Sequence, residues 1–315
     1  MNYYAGIDLG GTNIKCGIVD EEGNIIVQES VPTHSEKGFS YVTETMSGLV
    51  IKLARETKID VRAVGVGSPG MIDGERGVVV YSNNLGWKKV PLVAELKDRL
   101  RLPVRITNDA NAAAYGEYTC GAGKKYQSIV LLTLGTGVGS GIVLDGKLFE
   151  GSRGAGAELG HETIRFGGEK CTCGRRGCLE AYASATALIR QAKRAMEKDS
   201  RSKLWKLCGG DINNVNGKTA FDGMRAGDAT AKKVVNAYTR YLAEGIANIV
   251  NAFRPEAILL GGGIGREGDT LISPLKRKVN RLLFGDLRYA PVKILTASLG
   301  NHAGLVGAAL LSKKN

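Results

Sequence analysis

Four residues stand at a spacing that suits a metal ion: His161, Cys171, Cys173 and Cys178. One imidazole and three thiolates make the full tetrahedral set of a structural zinc site, with no position left open as a catalytic zinc would need. Gly174 and Gly177 supply turns that can bring the chain round an ion. The chain has only three histidines, and one falls at this spacing. The competing reading is a set of unrelated buried cysteines. Outside an oxidising compartment, thiols crowded this closely bind metal more often than they form disulfides. Cys16, Cys120 and Cys208 are isolated and read as small buried apolar residues.

A second set suits phosphate. Asp8-Leu9-Gly10-Gly11-Thr12-Asn13 lies between two strand-like runs. Glycines let backbone N–H groups approach phosphate oxygens, and Thr12 adds a hydroxyl donor. Asp8 can hold hydrated Mg²⁺, and Lys15 can add positive charge. A shift of 124 residues places Gly11-Thr12 on Gly135-Thr136, and Gly17-Ile18-Val19 on Gly141-Ile142-Val143. The second copy, Leu134-Gly135-Thr136-Gly137, reads as another phosphate turn preceded by Thr133. Coincidence between two glycine-rich hairpins is the bland reading, and a duplicated domain is the functional one. Neither turn is a Walker A loop, and strands rather than helices follow both, against a dinucleotide fingerprint. Gly261-Gly262-Gly263 follows an apolar strand and reads either as a strand-to-helix turn or as a flat surface for adenosine.

The third set is Asn108-Asp109, after a strand and at the start of an alanine-rich helix. Asp109 alone would read as an N-cap. Asn108 beside it, at a strand end where α/β folds place ligands, points to a substrate site.

The elements that must position these residues follow from periodicity. Strands are predicted at 3–8, 14–20, 24–31, 63–67, 104–107, 129–134, 141–144, 257–260 and 292–295. Helices are predicted at 41–56, at 91–100 with Pro91 in the first turn, and at 109–119, 180–198, 230–253, 270–283 and 303–311. The segment from Gly151 to Gly177 shows little periodicity.

Composition narrows the class. Of 315 residues, 43% are hydrophobic and 23% charged, as in a globular enzyme. No apolar run approaches the ~20 residues of a membrane span, and the N-terminus lacks the pattern of a signal peptide, so a cytoplasmic location is expected. The net charge of +12 comes from scattered basic pairs such as Lys88-Lys89 and Lys232-Lys233, without a basic stripe or reader motif. Nucleic acid is therefore not expected as a partner, and the excess suits an anionic substrate.

Together these motifs resemble the ROK family of sugar kinases and sugar-responsive repressors. The likeness rests on Asp8–Thr12, Asn108–Ala112, Leu134–Gly137, Gly156-Ala157-Glu158-Leu159-Gly160-His161 and the stretch from Cys171 to Glu180. It implies an α/β fold of the actin-like (ribonuclease H-like) ATPase type, with two duplicated lobes and a cleft between them. The lobes are expected at 1–109 plus 301–315, and at 110–300 with the zinc-binding loop. It implies ATP-dependent phosphorylation of a hexose, glucose before mannose, fructose, allose or N-acetylmannosamine, as in the bacterial glucokinase branch. The family's repressors carry a helix-turn-helix segment before the first phosphate motif; here that motif begins at Asp8, which favours a kinase. A homodimer is expected from the same likeness.

The resemblance also assigns roles. Asp109 is expected to be the base that takes the proton of the attacking hydroxyl. Asn84, Asn108, Glu158, His161 and Glu180 are expected to bind the sugar, since paired hydroxyls suit carboxylates and amides. The Ser68-Pro69-Gly70 turn is expected to close the sugar site. His161 is expected to bind zinc through one ring nitrogen and a sugar hydroxyl through the other. Asp8, Gly10, Gly11, Thr12, Lys15, Thr133, Gly135, Thr136, Gly137, Gly261, Gly262 and Gly263 are expected to hold Mg²⁺-ATP. Asn83 stands where many relatives have Pro, a departure in the sugar-side loop.

Overall fold

Apolar runs with strand periodicity in the first third of the chain build a meander before any helix forms. The computed structural model describes residues 1–286 and 288–313. It begins with β1 (Tyr3–Leu9), β2 (Asn13–Asp20) and β3 (Ile25–Pro32), then α1 (Phe39–Thr57) and β4 (Val61–Ser68). Three short strands follow, β5 (Met71–Asp73), β6 (Val78–Ser82) and β7 (Trp87–Val90), then α2 (Leu92–Leu100), β8 (Val104–Asn108) and α3 (Asp109–Thr119). A second meander comprises β9 (Ile129–Leu134), β10 (Val138–Leu144) and β11 (Lys147–Phe149). After a long loop come α4 (Glu180–Ala183), α5 (Ala185–Met196), α6 (Leu204–Leu207), α7 (Thr219–Arg225) and α8 (Ala229–Phe253). The chain closes with β12 (Ala257–Gly261), α9 (Gly262–Gly265), α10 (Asp269–Asn280), β13 (Lys293–Thr296) and α11 (Ala303–Leu311).

One five-stranded sheet has the order β3-β2-β1-β4-β8, and a second has the order β11-β10-β9-β12-β13. In the first, β1, β2 and β3 pair antiparallel, whereas β4 joins β1, and β8 joins β4, in parallel. In the second, β10 and β11 pair antiparallel, and β12 and β13 pair in parallel. The position-by-position match of the two orders is the topological form of the 124-residue sequence repeat. It is the duplicated sheet of the actin-like fold.

Contacts divide the chain into two compact units. The first holds residues 1–131 and 141–157 and the chain from Ala297 on; the second holds 132–140 and 158–296. In the first unit α1 and α2 cover one face of the sheet, burying Val42, Met46, Leu53, Leu92 and Leu96 against Ile7, Ile14 and Ile18. On the other face Tyr115 of α3 and Leu305 and Ala309 of α11 pack with Tyr4 and Val19. In the second unit α8 buries one face from Ala231 to Val250, with Tyr238 fully enclosed. No helix among the described residues is long and apolar enough to cross a membrane.

The structure departs from the sequence reading at several places, among them β11, α6 and α7, which have no predicted counterpart. The three-stranded sheet β5-β6-β7 is not predicted, because its strands are only three to five residues long and too short to show a period. The helix predicted over 180–198 breaks at Ser184, whose extended backbone (ψ 165°) starts α5 and whose hydroxyl caps it by accepting from Ala187 N. Pro91 occupies the position before α2 rather than its first turn. Cys120 is half-buried and donates to the Glu22 carbonyl, whereas Cys16 and Cys208 are buried as expected.

Candidate active site and metal centre

In the first unit, the turn after β1 is closed by Gly10 N donating to Asn13 O at 2.9 Å. Thr33 braces it from β3's end, donating its hydroxyl to Gly10 O at 2.7 Å and its N–H to Thr12 O at 2.8 Å. Asp8 is paired in register with Lys15 across β1 and β2, and Lys15 Nζ lies 4.0 Å from its carboxylate. Burial nevertheless holds the Asp8 carboxyl above its ordinary value, with Lys15 opposing. A desolvated carboxylate at the mouth of a glycine turn is a seat for a hard cation. Asn84, expected on the sugar side, packs against this same turn: a Cβ on Gly11 would lie 3.2 Å from Asn84 Cβ.

At the end of β8 the cap belongs to Asn108. Its Oδ1 accepts from Ala110 N at 2.9 Å and from Asn111 N at 3.4 Å, and Asp109 becomes the first residue of α3. This corrects the bland reading of Asp109 as the cap. Asn108 Nδ2 donates to Gly70 O at 3.0 Å, which ties the Ser68-Pro69-Gly70 turn to the strand end beside it. The Asn108 amide is thus largely spent on structure, and one N–H of its NH₂ group remains for a ligand. Glu150, which the sequence reading passed over, accepts from the Thr107 hydroxyl at 2.5 Å one residue before the pair.

In the second unit, Gly135, Thr136 and Gly137 form the tip between β9 and β10, and the N-terminus of α5 backs it. Ala185 N donates to Gly135 O, and the Thr186 hydroxyl donates to Thr136 O, each at 2.8 Å. Gly262 (φ 76°) starts α9 so close to Leu134 that a Cβ would lie 2.5 Å from its carbonyl oxygen. Cβ atoms on Gly135 and Gly263 would meet nothing within 4 Å. The glycine run is therefore both a strand-to-helix turn and an open surface beside the Gly135–Gly137 tip.

Glu180 joins this turn to the cysteine loop. Its Oε2 accepts from Val138 N at 3.1 Å, and a Cβ on Gly137 would lie 2.4 Å from that oxygen. Its Oε1 accepts from the Thr172 hydroxyl at 2.7 Å and lies 3.6 Å from Cys171 Sγ. Glu158 is exposed and begins the turn that carries His161, which Ser140 of β10 anchors by accepting from Leu159 N at 3.0 Å.

The four expected metal ligands converge. One donor atom from each of His161, Cys171, Cys173 and Cys178 lies within 4.8 Å of the others. Cys171 Sγ is 3.6 Å from His161 Nδ1, and Cys173 Sγ is 3.7 Å from Cys178 Sγ. A tetrahedral zinc with Zn–S of about 2.3 Å and Zn–N of about 2.0–2.1 Å requires edges of about 3.6 and 3.8 Å. The donor set therefore fits zinc in number, type and spacing. Burial, then the neighbouring thiols, push Cys178 up to about 12, a cost that a divalent cation at the centre reverses. With Nδ1 turned to the thiols, Nε2 is the imidazole nitrogen left for a second partner.

The comparisons agree along the whole chain. A family model described as the ROK family matches residues 4–315. A glucokinase from Streptomyces coelicolor is 36% identical over 318 residues, covering 100% of this chain and 98% of that protein. A glucokinase from Thermotoga maritima is 38% identical, covering 98% and 96%. The solved structure of a ROK family glucokinase from Streptomyces griseus, in complex with glucose and AMPPNP, superposes with a TM-score of 0.84 at 36% identity and covers 100% of both chains.

Proposed function

Because this chain belongs to the ROK family, we propose that it is an ATP-dependent hexokinase whose substrate is glucose and whose product is glucose 6-phosphate. The observation that carries the mechanism is the position of the pair at the end of β8: Asn108 Oδ1 caps α3 from Ala110 N and Asn111 N, and Asp109, which also accepts from Ala110 N, is the first residue of the helix. Asp109 takes the proton of the sugar hydroxyl as its oxygen bonds to the γ-phosphorus and the bond to the β-phosphate oxygen breaks. ADP leaves with that bonding pair. Phosphoryl transfer needs mainly alignment and charge neutralisation, so one carboxylate placed at the attacking oxygen suffices.

The remaining roles follow the chemistry of each group. Glu158, Glu180, His161 Nε2, Asn84 and the spare Asn108 N–H bind sugar hydroxyls. Gly10, Gly11, Thr12 and Lys15, with Thr133, Gly135, Thr136 and Gly137, hold the phosphates, and Gly261, Gly262 and Gly263 bear on adenosine. Asp8 would hold Mg²⁺, whose charge offsets that of the phosphates. His161, Cys171, Cys173 and Cys178 would hold a structural zinc that orients the His161 ring and the turn carrying Glu158. The repeated strand order supports two duplicated lobes; their bounds are proposed at 1–109 plus 301–315 and at 110–300, with α3 packed on the sheet of the first. A cytoplasmic homodimer without a nucleic-acid partner completes the proposal.

A coupled ADP-release assay across glucose, mannose, fructose, allose and N-acetylmannosamine tests it. Glucose should give the highest kcat/KM, and ADP release with none of these sugars would refute the reading. Light scattering of the eluting protein tests the dimer.

A further inference from the structure

We propose that the cavity of the second unit walled by the zinc loop, α5 and α8 binds a phosphate monoester carried on a ring. The cavity holds about 350 Å³, and nothing in the kinase mechanism uses it. Five cationic side chains line it, Arg165, Arg190, Arg194, Lys198 and Lys233, against one carboxylate, Glu169. That carboxylate is already committed: Arg194 Nη1 lies 2.5 Å from one oxygen and Arg190 Nε 3.9 Å from the other. Arg165, Lys198 and Lys233 make no ion pair among the described residues. Arg190 Nη2 donates to Ala181 O, but its Nε is buried with no hydrogen-bond partner. A buried donor without an acceptor is costly.

An ordinary solvated basic face spreads its cations outward over polar surface. Here they line one cavity together with Val234, Ala237 and Tyr241. Tyr241 packs on the buried ring of Tyr182, with centroids 4.5 Å apart at 41°, so its ring is held in place. An adjoining cavity of about 320 Å³ shares Arg165, Glu169 and Tyr182 and adds Arg176. Clustered guanidinium and ammonium groups suit a phosphate dianion, and an aromatic lining residue held in place suits a flat or apolar ring. The two features together select a ring bearing a phosphate over either part alone.

The test is calorimetric titration of the zinc-loaded full chain, with glucose and a non-hydrolysable ATP analogue saturating the catalytic site. The probes are phenyl phosphate, glucose 6-phosphate and inorganic phosphate. At least one ring phosphate should bind about five- to tenfold tighter than inorganic phosphate, the gain a stacked ring supplies. Which of the two binds better distinguishes an aromatic from a sugar ring. The double reversal Arg165→Glu/Lys233→Glu should weaken binding by about tenfold or more, and Tyr241→Ala should bring the ring phosphate down to the level of inorganic phosphate. Glucose phosphorylation by the reversal variant should stay at the wild-type rate, which separates this site from the kinase reading. No binding of either ring phosphate at millimolar concentration would overturn the proposal, as would equal binding of inorganic phosphate or indifference to the substitutions.

Discussion

Thr172 donates its hydroxyl to Glu180 Oε1 at 2.7 Å, and the other oxygen of that carboxylate accepts from Val138 N at 3.1 Å. One side chain thereby fastens the cysteine loop to the start of β10. Thr172→Val removes one charge-assisted hydrogen bond from an exposed position, so the KM for hexose should rise about three- to tenfold. Thr172→Ser keeps the hydroxyl and should stay near wild type. Zinc content should not change in either variant. A hexose KM unmoved by Thr172→Val would show that Glu180 is held without it.

Asp109→Asn tests the base. The amide can still hydrogen-bond a hydroxyl, but it cannot take the proton. Loss of a general base costs about 10²–10⁴-fold, and kcat should fall by that much. Sugar affinity measured by calorimetry should change by less than about fivefold, the worth of one hydrogen bond. Glu158→Gln should do the reverse, weakening sugar binding at least as much as turnover. Near-normal kcat in Asp109→Asn would send the search for the base elsewhere.

Metal analysis should find about one zinc per chain, as a closed four-ligand site requires. Cys173→Ser should lower both zinc content and Tm, since the binding energy of a structural site is folding energy. Chelation should do the same to the wild type, and added zinc should restore it. Zinc-free protein with unchanged Tm and activity would refute the assignment.

Asp8 gives a pH dependence whose sign can be worked out. Its carboxyl is held above the ordinary value by burial, so the folded chain binds a proton that the unfolded chain has released. Stability is then lost as pH rises from the unfolded value, about 3.9, through the folded one, and the loss persists at neutral pH. Asp8→Asn should therefore melt higher than wild type at pH 7 without ligand, and the difference should shrink towards pH 4. The same variant should lose turnover because the seat for Mg²⁺ is gone. A lower Tm at pH 7 would mean that the Lys15 pair outweighs desolvation.

Much of this protein follows from sequence because its signals are local. The strand and helix periods fix all ten strands of the two five-stranded sheets save the short β11. The 124-residue repeat needs only residue identity, and the two sheets express it as one strand order used twice. His161, Cys171, Cys173 and Cys178 were legible because a metal demands fixed donor types at close spacing, and their donor atoms do converge. Tertiary structure decided what depends on contacts between distant segments. No local pattern distinguishes Asn108 from Asp109 as the cap; the backbone path out of β8 does so by bringing Asn108 Oδ1 to Asn111 N as well as to Ala110 N. Thr172, an unconstrained position between two cysteines, gains a role only because the loop folds back onto Glu180. The Val78–Ser82 strand was invisible because its pairing with β5 and β7, not its own sequence period, holds it extended. The cationic cavity assembles side chains from 165 to 241, and no stretch of sequence that long carries a readable spacing.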